Sequence, residues 1–153
     1  MIPARLPGLM LLVMATVCPN EALAAGQAHY YARPGSSAPF SPAVRAGDLI
    51  FSSGQIGATR DGKVPAAMAD QATAAMDNVK AALAMAGASL DDVVKCTAML
   101  TDMSQWAAFN KVYVTYFKPG HLPARSAMGA TALALNAGVE VECIAYKPLE
   151  SAH

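Results

Sequence analysis

Residues 66–87 read AAMADQATAAMDNVKAALAMAG. Met68, Ala72, Met76, Val79, Leu83 and Ala86 recur every three or four positions, the spacing that lines up one face of an α-helix. Gly87 stands where a left-handed cap belongs, so the pattern predicts a helix over 66–86 that stops at the glycine.

The flanking segments change period. Before the helix, Leu49-Ile50-Phe51-Ser52-Ser53 is a short β-rich run that ends at Gly54. It follows the turn signal Ala46-Gly47-Asp48, so an earlier strand at 43–46 is expected to pair with it across a tight hairpin. Arg60-Asp61-Gly62-Lys63 is a second turn signal. After the helix, Asp91-Asp92 reads as a turn and cap cluster, and residues 93–100 as a β-branched strand.

A second helix is expected over 104–117, after the N-cap formers Thr101-Asp102. Trp106, Phe109, Tyr113, Tyr116 and Phe117 form its apolar stripe, which assigns Trp106, Phe109 and Tyr116 to the core along with the methionines of the first helix. Lys118-Pro119-Gly120 ends it. Two last strands are expected at about 124–133 and 139–146, separated by Asn136-Ala137-Gly138.

The order of strands, helix, strand, helix and strands describes an α/β (α+β) domain in which two helices cover one face of a mixed sheet. Apolar residues alternate on the other face too, and self-association would bury them.

The chain has 153 residues, 54% hydrophobic and 14% charged. That is enough apolar material for one compact core and too little charge for a disordered chain. The first two dozen residues contribute to the excess. Arg5 precedes an apolar run over 6–17, and Ala22-Leu23-Ala24 is followed by Ala25. The run is too short to cross a bilayer of ~30 Å, and the small-residue end suits a signal peptidase. The expected organisation is a leader at 1–24 cleaved near Ala24 or Ala25, a flexible arm at 25–38 and a domain at 39–149, in a periplasmic or secreted protein.

Cleavage removes Arg5 and Glu21, so the tallies fall from 11 bases and 11 acids to 10 and 10. A neutral body without a Lys/Arg cluster argues against nucleic acid or a membrane surface as partner. Of three cysteines, Cys18 leaves with the leader. Cys96 and Cys143 lie in strand-like runs, where each reads as a small buried hydrophobe, with a disulfide between them as the alternative in an oxidising compartment.

Walker, dinucleotide-binding, Gly-x-Ser-x-Gly and Cys-x-x-Cys signatures are absent, and His29, His121 and His153 are too scattered for a metal site. Two features stand out instead. Arg125 opens a strand, and Glu140 and Glu142 alternate along the last one, which places both carboxylates on one face. Charged groups in a sheet seek partners, so one reading is a structural Arg–Glu pair. The other is a guanidinium that grips a substrate carboxylate bidentately, beside a carboxylate that holds a water.

Over residues 39–148 the chain resembles the RidA/YjgF family. Four segments carry the resemblance: Pro39-Phe40-Ser41-Pro42-Ala43-Val44, Ser53-Gly54-Gln55-Ile56, Asn110-Lys111-Val112-Tyr113, and the pair Pro123-Ala124-Arg125-Ser126 with Val139-Glu140-Val141-Glu142-Cys143-Ile144-Ala145. The resemblance implies a chorismate mutase-like fold with a six-stranded mixed sheet, and a homotrimer with clefts between subunits. It implies cofactor-free deamination of 2-imino or 2-enamino acids. Arg125 would bind the carboxylate, Glu140 would position the water, and Ser53, Gly54, Asn110, Phe40 and Ala127 would line the cleft, with Glu142 as the alternative to Glu140. The family usually has Tyr where this chain has Phe40, Gln where it has Pro42, and often Cys where it has Ala127. A non-catalytic small-molecule or protein binding module on the same scaffold is the second reading. The endoribonuclease label that such proteins also carry ranks third, because the chain lacks a basic groove.

Overall fold

A computed structural model describes residues 27–149, so the leader expected at 1–24 lies outside the described residues. Its seven strands are β1 (Ala28–Tyr31), β2 (Ala43–Ala46), β3 (Leu49–Ser52), β4 (Gln55–Ile56), β5 (Val93–Leu100), β6 (Ala124–Gly129) and β7 (Val139–Tyr146). The two α-helices are α1 (Met68–Met85) and α2 (Trp106–Tyr113). One mixed sheet has the order β1-β2-β3-β7-β5-β6, with β4 also paired to β7. β5 and β6 are parallel, and the other pairings are antiparallel. β4 and β5 therefore run the same way on either side of β7, so α1 and α2 each cross between like-directed strands and settle on the same face.

The hairpin appears where the turn signal put it, with Ala46 opposite Leu49 and Gly47 at φ 59°. α1 ends as its sequence requires, at Gly87 with φ 75°. Its sheet-facing side is built largely of small residues: Ala72, Ala75 and Ala82 are fully buried with Met76, Val79 and Leu83. The alanines let the helix lie close to β7, whose Val139, Val141, Cys143 and Ala145 point toward it. The second helical segment is divided: α2 is flanked by 3-10 turns at 103–105 and 114–116. Ser89 and Asp92 form the expected cap, with the Asp92 carboxylate accepting from the Ser89 backbone N–H at 2.7 Å.

Four expectations need correction. The sheet has seven strands rather than six, because the two-residue β4 joins β7. Part of the segment read as an arm is strand β1, with His29 opposite Arg45 and Tyr31 opposite Ala43. β6 ends at Gly129 instead of near Leu133, and a turn with Leu135 and Asn136 at φ 55° and 56° follows. Finally, Cys96 and Cys143 are joined in a disulfide. They face each other directly across β5 and β7, and both are 1% exposed, so each is a core residue and a bridge partner together.

One buried charge organises the far end. Arg45 is 6% exposed and donates to the carbonyls of Gly47, Lys147 and Ala86. It satisfies a carbonyl at the C-terminal end of α1 and ties that end to the hairpin and the tail of β7.

Candidate active site

The resemblance residues fall into two groups on opposite faces of the sheet. The first group gathers around the break between β3 and β4. β3 pairs with the second half of β7 and β4 with the first, so Ser53 and Gly54 interrupt the ladder between them. Ser52 Oγ accepts from the Cys143 backbone N–H at 2.9 Å there, in place of a main-chain partner. Ser53 Oγ donates to the Ser41 carbonyl at 2.6 Å, and its N–H donates to the Pro42 carbonyl at 3.0 Å, which ties the 40–42 segment to the break. Phe40 is mostly exposed.

Glu140 packs against Gly54. A β-carbon at residue 54 would lie 2.9 Å from Cδ of Glu140, so only glycine leaves the carboxylate its place. α1 anchors this arrangement from behind. Asn78 Nδ2 donates to the Ala58 carbonyl at 2.8 Å, and Gln71 bridges the Pro65 carbonyl and the Gly138 N–H at 2.8 and 2.6 Å. Burial, and then the charge of Glu142, push the Glu140 carboxyl above its ordinary value. Glu142 lies on the same face, as alternation predicts, but it is exposed, and Glu140 is the one against Gly54.

The second group lies under α2. Arg125 stands opposite Cys96 in the parallel β5–β6 pair and points to the helix side. Its Cζ is 4.5 Å from the ring centroids of both Trp106 and Tyr113. Asn110 is three residues before Tyr113 on α2, and Ala127 follows Arg125 by two positions on the exposed edge strand. Arg125 Nη1, Asn110 Oδ1 and the Tyr113 hydroxyl are buried without a hydrogen-bond partner among the described residues. Burial pushes the Tyr113 hydroxyl up to about 12, against the opposing pull of Arg125. Assigning Trp106 to the core was half of the answer: it is partly buried against the core, and its ring also covers Arg125. Spacing put Trp106 and Tyr113 on one stripe. That the stripe faces an arginine follows only from the pairing of β5 with β6.

The structural Arg–Glu pair is not formed. Arg125 and Glu140 are separated by two strand spacings and three residues along the strands, about 10 Å in each direction, and point through opposite faces. Among the described residues Arg125 has no carboxylate partner, and it and Glu140 open on opposite faces of the sheet. The sheet face bearing Glu140 also exposes Leu49, Phe51, Met128 and Tyr146.

The sequence matches the family model described as Endoribonuclease L-PSP over residues 30–147. It is 42% identical over 113 residues to Protein HMF1 of Saccharomyces cerevisiae, covering 73% of this chain and 87% of the relative. It is 40% identical over 114 residues to the chloroplastic Reactive Intermediate Deaminase A of Arabidopsis thaliana, covering 73% of this chain and 60% of that protein. The crystal structure of Escherichia coli TdcF with bound serine superposes with a TM-score of 0.71 at 33% identity, over 78% of this chain and 98% of the other. With its α+β fold and open mixed sheet, the chain belongs to the RidA/YjgF family, whose model carries the Endoribonuclease L-PSP description and whose members include proteins named reactive intermediate deaminases.

Proposed function

We propose that this protein hydrolyses 2-imino and 2-enamino acids to 2-keto acids and ammonia, as an exported homotrimer. The observation that carries the reading is Arg125: a half-buried guanidinium, held against two rings, with no carboxylate partner among the described residues. A small carboxylate-bearing ligand supplies that partner.

The chemistry asks little beyond orientation and charge stabilisation. Protonation of an enamine carbon gives the imine. Water adds to the imine carbon, the new hydroxyl loses its proton as the carbonyl forms, and the C–N bond breaks to release ammonia. Glu140 accepts a hydrogen bond from the attacking water, takes its proton and passes it to the nitrogen, which gains its last proton from the hydroxyl as it leaves. A carboxylate whose pKa is raised favours this role. The atoms balance with one water consumed and one ammonia released, and no cofactor enters.

Because Arg125 and Glu140 face away from each other within one chain, the reading places the cleft between copies. Arg125, Asn110 and Ala127 of one subunit would meet Ser53, Gly54, Glu140 and Phe40 of the next. The exposed apolar residues of the sheet face support such an assembly. A buried disulfide supports an oxidising compartment, as does the leader-like start of the sequence.

One observation favours the second reading, a binding module. Phe40 lies in the segment tied to Ser53, is mostly exposed and offers no hydroxyl to a ligand. The formal charge of zero gives the endoribonuclease reading no electrostatic support.

The test is ammonia release from imino acids generated in situ by an amino acid oxidase. The reading expects acceleration over the spontaneous rate that is lost in Arg125→Ala. A well-folded protein with no acceleration across several side chains would overturn it in favour of the binding module.

A further inference from the structure

Trp106 and Tyr113 are seven residues apart on α2, so their rings leave the same side of the helix two turns, roughly 10.5 Å, apart. The Arg125 side chain rises from β6 into that gap, with Cζ 4.5 Å from each ring centroid. Both rings therefore contact the same guanidinium. The rings are themselves backed by a continuous aromatic row. Trp106 stacks on Phe109 at 5.7 Å, Phe109 meets Tyr113 at 5.5 Å, and Tyr113 meets Phe117 at 4.9 Å.

A second observation concerns one corner of the guanidinium. Nη1 is buried without a partner, and so are Oδ1 of Asn110 and the hydroxyl of Tyr113. Asn110 and Tyr113 share one helix face at a spacing of three. Neither is hydrogen-bonded to Nη1, and Nε and Nη2 are not among the buried unpartnered atoms, so the edge they form is the one left to a ligand.

We propose that Trp106 and Tyr113 are positioning residues that hold Arg125 so that it presents a single edge, Nε and Nη2, to a ligand. This rests on Arg125 as the carboxylate-binding residue of the deaminase reading. Two rings lie against the guanidinium, each centroid 4.5 Å from Cζ, and Nη1 is buried. The remaining edge offers two parallel N–H donors. A planar carboxylate accepts both, whereas a carboxamide offers one acceptor beside an N–H that clashes with the second donor. The clamp thus selects imino acids with a free carboxylate over their amides. The indole strengthens the hold, being the best of the aromatic faces for a cation.

The test compares the wild-type protein with Trp106→Phe, Trp106→Met and Tyr113→Leu. Three quantities are read: kcat and KM for an imino acid generated in situ, and the dissociation constant of 2-oxobutanoate from the NMR signal of the Arg125 Nε–H. Trp106→Met, which keeps apolar bulk without a ring, is expected to raise KM and the dissociation constant at least 10-fold while kcat changes less than 3-fold. Trp106→Phe is expected to recover most of the loss, and Tyr113→Leu, which removes the second ring, to weaken binding several-fold. A residue that only fills space would lower the melting temperature and leave KM alone.

A folded Trp106→Met that binds 2-oxobutanoate as tightly as the wild type overturns the proposal. So does a wild-type protein whose Arg125 signal ignores 2-oxobutanoate. Should the wild type bind 2-oxobutanoate at Arg125, lose that binding with Trp106→Met, and yet fail to release ammonia, the clamp stands and the deaminase reading falls.

Discussion

Gly54 lies directly against the side chain of Glu140, so close that a β-carbon at residue 54 would come within 2.9 Å of Cδ and 3.3 Å of Cγ. The contact is with the far part of a flexible side chain, which can yield where a backbone could not. Gly54→Ala is therefore expected to leave the fold in place and displace the carboxylate. We predict a loss of at least tenfold in kcat/KM with a melting temperature within a few degrees of wild type. A variant of unchanged activity would show that Glu140 works from another position.

The pH dependence follows from the same carboxylate. Burial and the nearby Glu142 raise its pKa above the usual 4.5. In the proposed reaction Glu140 takes a proton from water only when ionised, so activity is expected above its pKa and lost as the pH falls through it. The acid limb of kcat/KM should lie above pH 4.5. Glu142→Gln removes the repelling charge and should move that limb to lower pH, whereas a limb that stays fixed would assign it to another group.

Arg45 offers a test of the fold apart from the site. Its guanidinium is buried and serves three carbonyls, among them Ala86 at the end of α1. Arg45→Met keeps much of the volume but leaves those carbonyls without their donor. The expected cost is about 2–3 kcal/mol in urea unfolding. Deaminase activity, measured well below the transition, should survive, because the tie lies at the end of the sheet away from Gly54.

The Cys96–Cys143 bridge closes a sequence separation of 47 residues. By loop-closure entropy this stabilises the folded chain by about 4 kcal/mol, and Cys96→Ala/Cys143→Ala should lower urea stability by up to that amount. Both sulfurs are nearly inaccessible, so a water-soluble reductant should not release thiols until the protein is unfolded. Thiol titration with and without denaturant reads this directly. Rapid reduction of the folded protein would contradict the burial.

What the sequence settled by itself was local. The 3.6-residue period and Gly87 placed α1, the Gly47-Asp48 turn placed the hairpin, and the two-residue alternation put Glu140 and Glu142 on one face. Each of these rests on neighbours in the chain, whose geometry a short window contains. β1 and β4 escaped such reading, because four and two residues carry no period and are strands only by pairing with β2 and β7.

The tertiary structure decided everything that depends on register between distant strands. Cys96 meets Cys143 because β5 and β7 align at that row, and Arg125 reaches the aromatic slot because β6 joins the same row from the other side. In a sheet, a shift of one residue turns every side chain to the opposite face, so the faces taken by Arg125 and Glu140 could not be compared from sequence. That comparison, with the two residues facing apart, is what the tertiary structure adds, and it is the ground for proposing a site shared between copies of the chain.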